Sequence, residues 1–141
     1  MENKTYLDAT QEAGRAFFTK GIKGPVVMLN LLKFKDVADY SASVELAPSL
    51  PISGREAYKL YINYTMPFLK KAGGELLFSG TGGHFLIGPD YEAWDLVLLV
   101  KHASASKFLE FASNEAYLKG TGHRTAALAD SRLLPIVENQ L

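Results

Sequence analysis

Apolar residues recur along the chain with two periods, and the changes between them mark out the elements. From Asp8 to Lys20, Ala13, Ala16, Phe17 and Phe18 form the apolar stripe of a short helix, capped by Asp8 or Thr10 and followed by Gly21. Pro25 then opens Val26-Val27-Met28-Leu29-Asn30-Leu31-Leu32-Lys33-Phe34, a short β-friendly run that is apolar at both parities, as expected of a strand buried on both faces. Asp36 to Pro51 has no clean period and reads as a loop. Ser53-Gly54-Arg55-Glu56 matches a capping box, and Tyr58, Tyr61, Ile62, Thr65, Leu69 and Ala72 continue at helical spacing to Gly73-Gly74. Pro67 lies inside that helix and removes the bond to the Asn63 carbonyl, so a kink is expected.

Glu75 to Gly80 and His84 to Ile87 are strand-like. The glycines between them permit one bulged strand or a hairpin. Gly88-Pro89-Asp90 is a turn, and Trp94 to Lys101 is the clearest strand of the chain. Ser104 or Ser106 caps a helix carrying Phe108, Leu109, Phe111 and Ala112. Asn114 to Leu118 forms a broken extra turn, Arg124 to Ala129 a short helical piece, and Ser131 to Val137 a last strand.

Without its leading helix this order is β-α-β-β-α-β, the ferredoxin-like pattern, in which both helices cover one face of a four-stranded antiparallel sheet. The expected class is therefore α+β: a single domain over 1–141, with an N-terminal helical extension over 1–22 and the ferredoxin-like core over 25–138. The strands are apolar at both parities, Val27, Leu29 and Leu31 against Met28, Leu32 and Phe34, and one chain has helices for only one face. A second copy of the same sheet is the simplest cover, which makes a homodimer, a dimeric α+β barrel, the expected assembly.

Composition narrows the chemistry. The 141 residues carry 15 basic and 15 acidic side chains, so no basic excess exists to neutralise phosphates and no nucleic-acid partner is expected. The chain has no cysteine, which excludes disulfides and thiolate catalysis. Met1-Glu-Asn-Lys-Thr-Tyr-Leu-Asp lacks the pattern of a signal peptide, and the sequons at Asn3 and Asn63 carry no meaning without secretion. The apolar runs are too short to span a membrane. A cytoplasmic protein without a membrane partner is expected. Three scattered histidines lack metal-site spacing, and Gly80-x-Gly82 and Gly120-x-Gly122 lack the third glycine of a dinucleotide loop, so neither metal nor cofactor is expected. Ser104-Ala-Ser-Lys107 matches S-x-x-K without its companion motifs.

Several segments, in their order, resemble a known family. Met28-Leu-Asn-Leu-Leu-Lys-Phe, Pro67 followed by Gly73-Gly74-Glu75, Gly88 with Trp94-Asp95, and Asn114-Glu-Ala-Tyr117 followed by Arg124 look like the domain of unknown function family thirteen-thirty. The likeness spans roughly Val26 to Pro135. It implies membership of the dimeric α+β barrel superfamily, a ferredoxin-like protomer and a back-to-back sheet dimer. It implies little about chemistry, because superfamily relatives include monooxygenases, haem-handling enzymes, lactone isomerases and stress-response binding modules.

Polar residues that interrupt the apolar pattern are the candidates for a site. Asn30 stands mid-strand and must bond either its own surroundings or a ligand. His84, beside the glycines, is a general base or a surface histidine. Asp95 at a strand start is a catalytic acid or a structural acceptor. Arg124 either binds an anion jointly with His123 or pairs inside the domain with Asp95, Asp130 or Glu115. Tyr58 and Tyr61 read as core, whereas the Tyr64 hydroxyl reaches toward a cleft. Trp94 and Tyr117 are large enough to wall a pocket. His102, at a strand exit, reads as solvated.

Together these suggest one apolar pocket per protomer, between the inner sheet face and the helices or the long loop, for a small, partly apolar organic ligand, neutral or anionic, whose carboxylate or developing enolate Arg124 could hold. His84 and Asp95 are the catalytic candidates; Asn30, Tyr64, Trp94, Tyr117 and Arg124 are the binding candidates. The chemistry that fits is cofactor-independent proton transfer or oxygenation. The rival reading is a non-catalytic binding or interaction module, whose polar residues serve the fold alone.

Overall fold

The apolar run after Pro25 forms β1 (Val26–Phe34), a central strand in the computed structural model, which describes residues 4–141. Asn3 and the first three residues of the expected N-terminal extension lie outside the described residues. Before β1 comes α1 (Gln11–Phe18), capped by the Thr10 hydroxyl rather than by Asp8. After β1 the chain runs through a loop with one 3-10 turn (Val44–Leu46) into α2 (Gly54–Lys71). Then follow β2 (Glu75–Thr81), β3 (Leu96–His102), α3 (Ala105–Ala112), α4 (Glu115–Leu118), α5 (Thr121–Ala127) and β4 (Leu128–Ile136).

The sheet order is β2-β3-β1-β4, every pair antiparallel. With α2 and α3 as the crossover helices, this is the ferredoxin-like α+β fold read from the pattern. Glu75–Thr81 is one strand with a register shift between Leu76 and Phe78, which settles the alternatives left open there. His84–Ile87 is not its hairpin partner. His84 makes a lone bridge to Ala93, and Leu86 and Ile87 are exposed.

Local chemistry explains the ends of α2. Ser53 Oγ accepts from the Glu56 amide at 3.0 Å and Glu56 Oε1 accepts from the Ser53 amide at 3.1 Å, the reciprocal capping box. The helix continues through Pro67 to Lys71. Gly73, at φ +80°, then turns the chain back, a conformation that glycine adopts without steric cost.

Pairing register assigns the two sheet faces. Asn30 lies opposite Leu98 and Leu133, Met28 opposite Val100, and Val26 opposite His102, so these side chains share a face. That face meets Ala57, Tyr58, Tyr61 and Leu69 of α2, Phe111 of α3 and Tyr117 of α4 in the core. The other parity, Val27, Leu29, Leu31, Val97 and Leu99, has no helix over it among the described residues. It is only half-buried, and Phe78 and Leu134 beside it are 55% and 57% exposed.

Candidate functional site

A cavity of about 380 Å³ lies between the helix-facing side of the sheet and α2 to α5, with Leu7, Asp8 and Ala9 at its N-terminal side. Its floor is Met28, Asn30, Leu98, Val100 and His102, which alternate along β1 and β3 as period-two strands require. Tyr58, Tyr61 and Thr65 reach it because spacings of three and four put them on one stripe of α2.

The aromatic wall is continuous. Ring centroids step 5.2 Å from Tyr58 to Tyr61, 6.2 Å to Tyr117, 4.5 Å to Phe111 and 5.6 Å to His102. The Tyr61 and Tyr117 hydroxyls share a buried hydrogen bond of 2.6 Å. Burial pushes the Tyr58 and Tyr117 hydroxyls up, and Tyr61 adds to it, against a smaller opposing effect of the Arg124 guanidinium. Both stay protonated, as donors, at neutral pH.

His102 is 2% exposed, and burial lowers its pKa, so the imidazole is neutral at neutral pH. Its Nδ1 and the Thr65 Oγ1 are buried without a hydrogen-bond partner among the described residues, which is uncommon in a folded protein. Asn30 Nδ2 donates to the Met28 carbonyl at 3.2 Å, a local bond that leaves its amide oxygen free for another partner.

The structure brings Asn30, Tyr117 and Arg124 together at this cavity. It does not bring the other candidates there. His84 lies on the exposed loop after β2, because that segment does not extend the sheet. Asp95 accepts from the Phe34 amide at 2.8 Å and ties the end of β1 to the start of β3. Tyr64, on the outer side of α2, donates its hydroxyl to the Ala116 carbonyl. Trp94 is buried on a separate hollow of about 140 Å³, where Arg132 stands 4.9 Å from its ring centroid.

Arg124 departs from its expected partners. It donates to the Leu7 carbonyl at 2.7 Å, while Asp130 pairs with Arg132 at 2.6 Å. His123 is not beside it in the site: its Nδ1 shares a 2.7 Å hydrogen bond with the Tyr40 hydroxyl, which docks the long loop on α5. No residue of that loop lines the larger cavity.

Reading the sequence missed His102, Tyr58, Tyr61 and Thr65. His102 is not solvated; it extends the Leu98–Val100 parity one step past Lys101, and that parity was the available signal. Among the described residues, no three His, Asp or Glu side chains gather into a metal-binding group, and no helix is long and apolar enough to cross a membrane.

The RPA0582 protein of Rhodopseudomonas palustris, a protein of unknown function, has a similar structure, at a TM-score of 0.86 and 30% identity, over 98% of this chain and 100% of that one. A methylated RPA0582 protein gives 0.85 and 30%, over 96% of each chain. The chain belongs to the family of RPA0582. A dimeric protein of unknown function and ferredoxin-like fold from Bacteroides fragilis NCTC 9343 is far more distant, at 10% identity and TM-score 0.48 over 79% of this chain and 94% of that one. No family model and no curated protein matches the chain.

Proposed function

We propose that this protein binds a small, partly apolar organic molecule in the cavity between its sheet and helices, and that two copies pair through the open face of the sheet. The observation that carries the first part is the cavity itself. At about 380 Å³ it falls in the range of roughly 300–1,000 Å³ typical of ligand sites, and a few polar groups converge on mostly apolar walls. The second part is supported by the uncovered apolar parity of β1 and β3. Membership of the domain of unknown function family thirteen-thirty belongs to the same proposal and rests on the ordered short motifs from Met28 to Arg124.

A second reading, that the bound molecule is also turned over, is favoured by the buried neutral His102 together with the Tyr61–Tyr117 hydroxyl pair. A neutral imidazole accepts a proton, and phenol donors stabilise a developing oxyanion, which is cofactor-independent proton transfer. Such turnover exchanges a carbon-bound ligand proton with deuterated solvent, and His102→Gln stops it. Exchange that survives that substitution removes His102 from the role.

Binding is tested by thermal-shift screening of small organic compounds against the wild type and Ala112→Leu, which fills part of the cavity from α3. Compounds that bind there raise the melting temperature of the wild type and lose most of that effect in the variant. Equal shifts in both proteins, or none in the wild type, contradict the reading.

A further inference from the structure

The cavity carries one fixed positive charge, and that charge lacks a firm counter-ion. Arg124 is the only Lys or Arg among its described lining residues. Its Nη1 donates to the neutral Leu7 carbonyl at 2.7 Å, and its Nη2 reaches Ser131 Oγ only at 3.5 Å. The carboxylate paired with it, Asp8, stands 3.9 Å away with 88% of its side chain exposed. Solvent screens such a pair, so it neutralises little of a guanidinium that is itself only 22% exposed. Arg132 shows the contrast: Asp130 holds it at 2.6 Å with 15% exposure. Arg132 is satisfied from within, whereas Arg124 has donors to spare.

Size and shape describe what those donors receive. From Leu98 to His102 the floor runs four residue steps along β3, about 14 Å at roughly 3.4 Å per step. A cavity of about 150 Å³ holds one benzene ring, so the 380 Å³ here has room for a body of two rings. The roof presents the rings of Tyr61, Tyr117 and Phe111, and the floor presents Met28 and Val100. A flat apolar body fits between an aromatic roof and an aliphatic floor. A carboxylate fits a guanidinium, whose planar fork of N–H donors can bind both oxygens.

We propose that the cavity selects a ring-containing monocarboxylic acid of two-ring size, with its carboxylate on Arg124 and its ring body between Met28 and Val100 below and Tyr61 and Phe111 above. This rests on the reading of the cavity as a ligand site. Asp8 and the Leu7 carbonyl place the N-terminal segment at the charged end, where the acid group binds.

The test is isothermal titration of the full chain with naphthalene-2-carboxylate and with the neutral, nearly isosteric naphthalene-2-carboxamide. The acid is expected to bind about tenfold or more tightly than the amide, because its hydrogen bonds to Arg124 are charge-assisted on both sides. Arg124→Gln should remove that preference while still binding the amide, and Arg124→Lys should keep part of it. The wild-type comparison needs no variant, so a folding defect of either substitution does not blunt it. Equal binding of acid and amide by the wild type overturns the acid-selective proposal and leaves the ligand cavity standing. Binding of neither overturns both.

Discussion

His102 leaves β3 beneath Phe108 and Phe111, their ring centroids 4.9 and 5.6 Å away, and burial there lowers its pKa from the ordinary value of 6.5. Burial lowers that of His123 as well. In the unfolded chain both histidines take up a proton as the pH falls through about 6.5, before the folded protein does, so their contribution to stability drops in the window below that value and is constant above it. Urea midpoints are expected to fall from about pH 7.5 to about pH 5.5, and His102→Phe should remove part of the fall. An unchanged pH profile in that variant contradicts the burial argument.

Asp95 and His84 are expected to separate cleanly at the same scale. Asp95→Ala loses a charged acceptor for the Phe34 amide and should cost about 1.5–3 kcal/mol in equilibrium unfolding. His84→Ala, on an exposed loop, should stay within about 0.5 kcal/mol, and neither change should weaken ligand binding. These two residues were legible as polar interruptions, but their roles were not. A strand-start aspartate has the same sequence signature whether it holds an amide or moves a proton; the 2.8 Å bond shows that this one holds the Phe34 amide.

The elements rest on local signals that act over three or four residues. The Ser53–Glu56 capping box was readable, and of Ser104 and Ser106 it is Ser104 that caps α3; each cap satisfies amides that a helix start leaves unpaired, as does the Asn114 cap of α4, which was not read. Ser53→Ala should cost about 1 kcal/mol, measured by urea unfolding. Gly54, one position on, answers to long-range packing. A Cβ there would meet the Lys35 carbonyl at 2.2 Å and the Ala127 carbonyl at 2.7 Å, both backbone atoms with no room to move. Gly54→Ala is expected to cost about 3 kcal/mol. A Gly54→Ala protein as stable as wild type would mean that α2 does not sit this tightly against β1 and α5. The segment after β2 shows where local signals end. Phe85-Leu86-Ile87 is composed like a strand, yet Leu86 and Ile87 are 100% and 93% exposed, since strand composition does not supply a neighbour to pair with.

At the scale of the whole molecule, strand parity implied two apolar surfaces, and the polar interruptions implied a pocket on one of them. The helix-facing parity of β1 and β3 forms the core and the cavity floor; the opposite parity is left uncovered. If two copies pair there, light scattering should give twice the 15.5 kDa chain mass, and a charge in the middle of that face, Leu29→Lys, should return the single mass. A pocket beside the inner sheet face was expected, but most of its lining needed the third dimension. His102, Thr65, Tyr61 and Tyr117 are far apart in the chain, and only the docking of α2, α3 and α4 on the sheet sets them around one space.

That space is probed most directly by methyl NMR during titration with naphthalene-2-carboxylate, because the two sheet faces carry different methyl groups. Resonances of Met28, Ile62, Leu98 and Val100, which line the cavity, should shift, while those of Val27, Leu29, Val97 and Leu99 on the opposite face stay in place. Shifts confined to the opposite face, or none at saturating ligand, would contradict a ligand site between sheet and helices.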